Sequence, residues 1–356
     1  MHNLCGSFGV SVMHKLSLWA FYWFFLFSQS VFSQIEPNTW TEVPMPTPAT
    51  CAFGDPFAIF VKPGRSDKVV VDFEGGGACW SGVTCEANSV TFTSNISRRS
   101  DYFKSSQNWR GIFDIHDPRN PVADATIVHI PYCTGDVHWG NSVQTYKIAG
   151  QPPFTIHHSG AVNVSMAIEW MQKNLKVKPE TIHVTGCSGG AYGSIYWAPY
   201  LKKIFPKTKM LQFGDSGAGV STPEFRERGL PQWNITAYAP YWIPALDPKN
   251  VDWSKLNVRD LYIGVANYYK NDYFSQFNHY NDLIQTYFYS VMGGNPLNWS
   301  ELMQQSIQSI ALATKEAHFD SALVEGTSHC AMTSNLFYDT DVNGKRLYEW
   351  FSENDH

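Results

Sequence analysis

Short, nearly unbroken apolar runs alternate along the chain with stretches in which apolar residues recur at helical spacing. The candidate strands, most of them continuous apolar runs, are Phe57–Lys62, Lys68–Phe73, Thr126–Ile130, Thr181–Thr185, Met210–Phe213, Leu261–Val265 and Ala322–Val324. Each has the length of a strand, and an apolar run without alternation fits a strand covered on both faces. The other stretches predict helices. In "SGAVNVSMAIEWMQKNL", Val162, Met166 and Trp170 fall on one helical face. "NWSELMQQSIQSIALATKEA" predicts another helix, capped near Asn298 or Ser300. Strands alternating with helices predict an α/β fold, a mainly parallel sheet with helices on both faces. No repeat or linker divides it. The aromatic and proline-rich stretch Gly229–Asp247 is an insertion of the kind that shapes a pocket.

The N-terminus carries a different pattern. Lys15 precedes "LSLWAFYWFFLF", Leu16–Phe27, and then "SQSVFSQ". A positive start, an apolar run and small residues beyond it predict a secretory signal peptide, cleaved after Ser33. The run is short for a membrane span of about 20 residues. The expected organisation is a leader, 1–33, and one catalytic domain, 34–356, with no stable membrane span after cleavage. The mature protein is expected to be extracellular, or periplasmic in a bacterium. Of seven cysteines, Cys5 falls in the leader. The rest, Cys51, Cys79, Cys85, Cys133, Cys187 and Cys330, are even in number, as disulfides in an oxidising compartment require. Cys79 and Cys85 flank the short loop of "CWSGVTC". Sequons at Asn95, Asn163, Asn234 and Asn298 matter only in a host that glycosylates. A hydrophobic content of 44% argues against disorder. The net charge of −5, with Arg98-Arg99 only a pair, argues against a nucleic-acid partner.

The chemistry concentrates in two glycine clusters. In "HVTGCSGGAYGS", Gly186-Cys187-Ser188-Gly189-Gly190 stands between a predicted strand and a predicted helix. G-x-S-x-G in that setting is a nucleophile elbow, the sharp turn of α/β-hydrolases that exposes a serine at the sheet's carboxyl edge. Gly186 and Gly190 avoid clashes across the turn, and the Gly189 N–H points to where an oxyanion would form. In "VVVDFEGGGACWSG", Glu74-Gly75-Gly76-Gly77 follows a buried strand. Glycines there let a second backbone N–H approach the substrate, from Gly76 or Gly77, while Glu74 anchors the loop. A phosphate loop is the rival, but the Gly-Lys-Ser/Thr ending is missing. The base must follow the acid in this fold. His318, His329 and His356 follow Asp282, and only His329 comes just after a predicted strand within the fold. Spacing leaves Asp215 and Asp282 nearly tied as the acid, with Asp272 third. Nothing calls for a metal or cofactor: H-E-x-x-H is absent, and His157-His158 are adjacent.

Several segments together resemble the pectin acetylesterase and Notum carboxylesterase family. They are "FEGGGACW", "IPYCTGD", "GCSGG", "NDLIQ" and the His329-Cys330 pair. The resemblance implies an α/β-hydrolase that cleaves carboxylic esters. It favours Asp282, whose segment also holds Gln285, and leaves Asp215 as a structural residue under the pocket. It implies disulfides Cys79–Cys85 and Cys51–Cys133. Cys187 and Cys330 stay unassigned, with Cys187 expected to be a buried thiol. Gly77 stands where the Notum segment has an aromatic residue, which points away from a lipid pocket and towards small acyl groups on a glycan. Trp80, Asp136 and His138 are candidates for lining the cleft, with a polar loop stapled by Cys133 as the alternative for the last two. The expected function is O-deacetylation of a polysaccharide such as pectin. A lipid- or protein-linked deacylase and a silent glycan-binding relative are the rivals.

Overall fold

The computed structural model describes residues 38–175 and 179–355. The predicted leader lies outside the described residues. Eight strands form the central sheet: β1 Thr41–Pro44, β2 Ala58–Lys62, β3 Arg65–Phe73, β4 Ala125–Ile130, β7 Thr181–Cys187, β8 Lys209–Asp215, β9 Tyr273–His279 and β10 His318–Val324. Their order is β1-β2-β4-β3-β7-β8-β9-β10. β1–β2 and β2–β4 pair antiparallel, and every later pairing is parallel. A separate hairpin joins β5 Ser142–Tyr146 to β6 Phe154–His158. β2, β4 and the second half of β3 are buried at every position, as helices on both faces of the sheet require.

Two expectations about elements fail for identifiable reasons. Leu261–Val265 is not a strand but part of the helix Val258–Tyr268. Its buried residues Val258, Leu261, Tyr262, Val265 and Ala266 follow a helical period, which a short apolar window conceals. The strand that completes the sheet there is β9, "YFSQFNH", whose buried Gln276 and Asn278 disguise it as a polar segment. The helix Gly160–Asn174 forms as expected, but Ala161, Val164, Ala167, Ile168 and Met171 make its buried face, leaving Val162, Met166 and Trp170 half-buried. The second predicted helix runs Trp299–Ala313, with Asn298 at its N-cap.

The carboxyl ends of β3, β7, β8, β9 and β10 share one edge of the sheet because these strands are parallel. The loops after β3, β7, β9 and β10 carry Gly76–Gly77, Ser188, Asp282 and His329, and Asp215 closes β8 itself. Residues distant in sequence therefore meet along that edge.

Candidate active site

β7 ends at Cys187 and the helix Gly189–Ile204 begins two residues later. Ser188 occupies the turn with φ 56° and ψ −122°, a strained conformation for a side-chain-bearing residue. Its N–H donates to the Asp215 carbonyl at 2.8 Å. The turn packs so closely on β3 that a Cβ at Gly190 would strike the Phe73 carbonyl, and one at Gly186 would strike Gly190. The Gly76 and Gly77 N–H groups have no partner among the described residues, and a Cβ on Gly189 would stand 3.8 Å from the Gly76 nitrogen. Gly77 has φ +78°, where an L side chain is strained. Gly76, Gly77 and Gly189 thus stand together beside Ser188.

Glu74 holds this loop. Its Oε1 accepts Arg99 Nε at 2.7 Å, its Oε2 accepts the Tyr132 N–H at 3.0 Å, and its carbonyl accepts His138 Nε2 at 2.8 Å. Burial alone would raise the Glu74 carboxyl, but Arg99 and His129 outweigh it and hold the group at about 2. Burial pushes the His138 imidazole down to about 4, so a neutral ring with its proton on Nε2 makes that bond.

Asp282 is fully buried and caps the helix Leu283–Val291, its Oδ1 accepting Ile284 N and Gln285 N at 3.0 Å each. Gln285 Nε2 donates to Asp282 Oδ2 and to Asn278 Oδ1, both at 3.0 Å, and its Oε1 accepts the Ala218 N–H at 2.9 Å. Asp282 Oδ2 lies 2.8 Å from His329 Nδ1. An ionised carboxylate only accepts, so Nδ1 carries the proton and Nε2 presents its lone pair. That Nε2 is buried with no hydrogen-bond partner among the described residues. Ser188 and His329 line the same two cavities.

One cavity is small, about 80 Å³, and apolar, walled by Val137, Trp139, Tyr192, Phe225, Trp233 and Phe288. Trp233 comes from the Gly229–Asp247 insertion, which shapes this pocket. The other is a wider cleft of about 630 Å³ that includes Thr93, Asn95, Arg98 and Tyr287.

The remaining sequence candidates fall elsewhere. Trp80 does not line either cavity; its indole meets Phe225 edge-on at 4.8 Å from behind. Asp136 and His138 are buried beneath their loop, while the intervening Val137 and the following Trp139 face the small cavity. Asp136 accepts Thr134 Oγ1 at 2.6 Å and Gly160 N at 2.7 Å, tying the loop to a helix start, and burial raises its carboxyl to about 6. Disulfides join Cys51 to Cys133 and Cys79 to Cys85. The expected free thiol at Cys187 is corrected: Cys187 pairs with Cys330, their Cα atoms 5.7 Å apart. The end of β7 and the His329 loop meet beside β8, a contact that no local spacing reveals. Cys187, Cys330 and His329 cluster as metal ligands would, but the disulfide removes both thiolates.

A family model described as pectinacetylesterase matches residues 36–232, more than half of the chain. That stretch contains Gly76, Gly77 and Ser188 and ends before Asp282 and His329. Palmitoleoyl-protein carboxylesterase notum1' of Xenopus laevis is 35% identical over 100 residues, 28% of this chain and 20% of its own. Inactive palmitoleoyl-protein carboxylesterase notum1b of Danio rerio is 29% identical over 116 residues, 32% of this chain and 76% of its own. The match thus spans about a fifth of the length of the frog relative. The solved structure of the Wnt deacylase Notum from Drosophila superposes with a TM-score of 0.64 at 17% identity, covering 89% of this chain and 94% of that one. The fold is that of the α/β-hydrolases.

Proposed function

The chain belongs to the pectinacetylesterase family, and from that premise we propose that it is a secreted serine esterase that removes acetyl groups from a polysaccharide such as pectin. Membership supports carboxylesterase chemistry. The finer reading rests above all on His329 Nε2, buried and unpartnered, in cavities shared with Ser188 while Asp282 holds the opposite nitrogen.

His329 Nε2 takes the Ser188 hydroxyl proton as Oγ attacks the ester carbonyl. The carbonyl π electrons move to oxygen, and the N–H groups of Gly189 and of Gly76 or Gly77 receive that charge. Asp282 keeps the imidazole in the required tautomer and stabilises its charged form. The oxyanion then re-forms the carbonyl, the bond between the acyl carbon and the sugar oxygen breaks, and His329 returns its proton to the departing alkoxide. Water, deprotonated by the same nitrogen, attacks the acyl-enzyme and releases acetate and free Ser188.

Cavity size bears on the acyl group. A pocket of about 150 Å³ admits benzene, and the apolar cavity beside Ser188 has about 80 Å³. It suits an acetyl group and is short for a long acyl chain. The apolar walls are the observation that favours the rival, a deacylase of lipid- or protein-linked acyl groups. The wide cleft, with Thr93, Asn95 and Arg98 beside aromatic Tyr287, suits the sugar side. Export fits three disulfides, which persist in oxidising compartments. Residues 34–356 are proposed to act as one catalytic domain after a leader at 1–33.

Turnover of 4-nitrophenyl acetate, butyrate and octanoate, with acetate release from acetylated pectin and acetylated xylan, tests the reading. Acetyl is expected to be the fastest acyl group, with acetate released from the polymer. Faster octanoate turnover would move the assignment to the long-chain rival. No turnover by the wild type would leave a silent binding protein.

A further inference from the structure

Ser188 and His329 stand on loops after different strands, yet one short segment bonds to Ser188 and to the three residues that follow His329. Asp215 ends β8 opposite Cys187 in the sheet register. Its backbone carbonyl accepts the Ser188 N–H at 2.8 Å. Its fully buried carboxylate turns the other way and accepts two N–H groups on one oxygen, from Ala331 at 2.8 Å and Met332 at 2.7 Å. Ser216 Oγ accepts the Cys330 N–H at 3.0 Å and donates to Asp215 Oδ1 at 3.1 Å. The three N–H groups that follow His329 in sequence therefore all converge on Asp215-Ser216. The Cys187–Cys330 disulfide closes the same joint covalently. Ser216 and Cys330 adopt φ of 54° and 61°, conformations that persist only where the surroundings enforce them.

A buried carboxylate is a costly way to anchor a loop. Among the described residues, Asp215 has no lysine or arginine within ion-pair distance. Burial pushes its carboxyl up to about 6, against the opposing pull of its N–H donors and of the His329 charge. Among the described residues, Asp282 contacts His329, and Asp215 and His279 are close enough to interact with it electrostatically. A carboxylate placed this way both fixes the histidine loop and favours the imidazolium.

We propose that Asp215 is a positioning residue: it locks the His329 loop to the nucleophile elbow and supports the positive charge that His329 takes up. This builds on the serine-esterase reading, and a role confined to folding would not extend to the second half of the claim. A negative charge near an imidazole raises its pKa, so removing that charge lowers it. Asp215→Asn is isosteric and uncharged.

The test uses the full chain with 4-nitrophenyl acetate, comparing wild type, Asp215→Asn, Ser216→Ala and Ser188→Ala. Asp215→Asn is expected to lower kcat about 100-fold, the scale of a small misplacement of catalytic groups, with little change in KM. The acid limb of its kcat/KM profile is expected to move to lower pH. Ser216→Ala, which removes only the bond to Cys330 and one to Asp215, is expected to lower kcat less and leave the acid limb in place. Unchanged kcat in a folded Asp215→Asn protein would overturn the proposal. So would a lower kcat with an unmoved acid limb, because that is the signature of a purely structural residue. If Asp215→Asn does not fold, full kcat in Ser216→Ala overturns it, and reduced kcat with unchanged KM supports it. Activity retained in Ser188→Ala would instead defeat the serine reading itself.

Discussion

Asp282 acts in two directions from one position. It caps the helix Leu283–Val291 through the N–H groups of Ile284 and Gln285, and it faces His329 Nδ1 at 2.8 Å. Asparagine is as good an N-cap as aspartate, so the two roles separate experimentally. Asp282→Asn should keep the cap and lose the carboxylate that fixes the imidazole tautomer. The expected outcome is a folded protein with kcat lowered about 10⁴-fold. Asp282→Ala should lose activity and also about 1 kcal/mol of stability. Thermal melts beside kinetics check both, and an active Asp282→Asn enzyme would remove Asp282 from the mechanism. At this scale the sequence was informative where chemistry is local. Ser188 was legible because glycines must surround a strained serine. Asp282 needed the family resemblance, since Asp215 also follows a strand. The pairing of Cys187 is not legible in the sequence because its partner lies on a loop that only the folded chain brings near.

Neighbouring residues on one short helix divide between support and recognition. In Ser97–Lys104, Arg99 turns inward to Glu74 and fixes the Gly75–Gly77 loop, while the adjacent Arg98 lines the wide cleft. Successive positions on a helix point about 100° apart, which permits this split. Arg98 is exposed and has no partner among the described residues. If the substrate is an acidic polymer, Arg98→Ala should lower kcat/KM for acetylated pectin fragments about 10-fold, the weight of one charge-assisted hydrogen bond. It should leave 4-nitrophenyl acetate turnover intact. An equal loss on acetylated xylan fragments would deny Arg98 a carboxylate-binding role. The element pattern was readable for the buried parallel strands, whose apolar runs are continuous. It failed at β9, where Gln276 and Asn278 are buried polar residues and Asn278 supports Gln285 beneath Asp282. The polar residues that hid this strand help to build the site.

The whole molecule places a small apolar cavity and a broad cleft of mixed lining around Ser188, at the parallel edge of one sheet. That placement follows from chain order, because parallel strands deliver successive loops to the same edge. The cavity dimensions were not legible in the sequence, since Trp139, Trp233 and Phe288 converge from separate segments. The four sequons also differ once the chain folds. Asn163 is buried and donates to the Thr50 carbonyl at 2.9 Å, whereas Asn95, Asn234 and Asn298 are exposed. Among the described residues, no helix is long and apolar enough to cross a membrane. If Ser188 is the nucleophile, a fluorophosphonate followed by peptide mass spectrometry should find one phosphonylated residue, Ser188, with labelling abolished in Ser188→Ala and greatly slowed in His329→Ala. Labelling of Ser188→Ala at the wild-type rate, or no labelling of the folded wild type, would contradict that role.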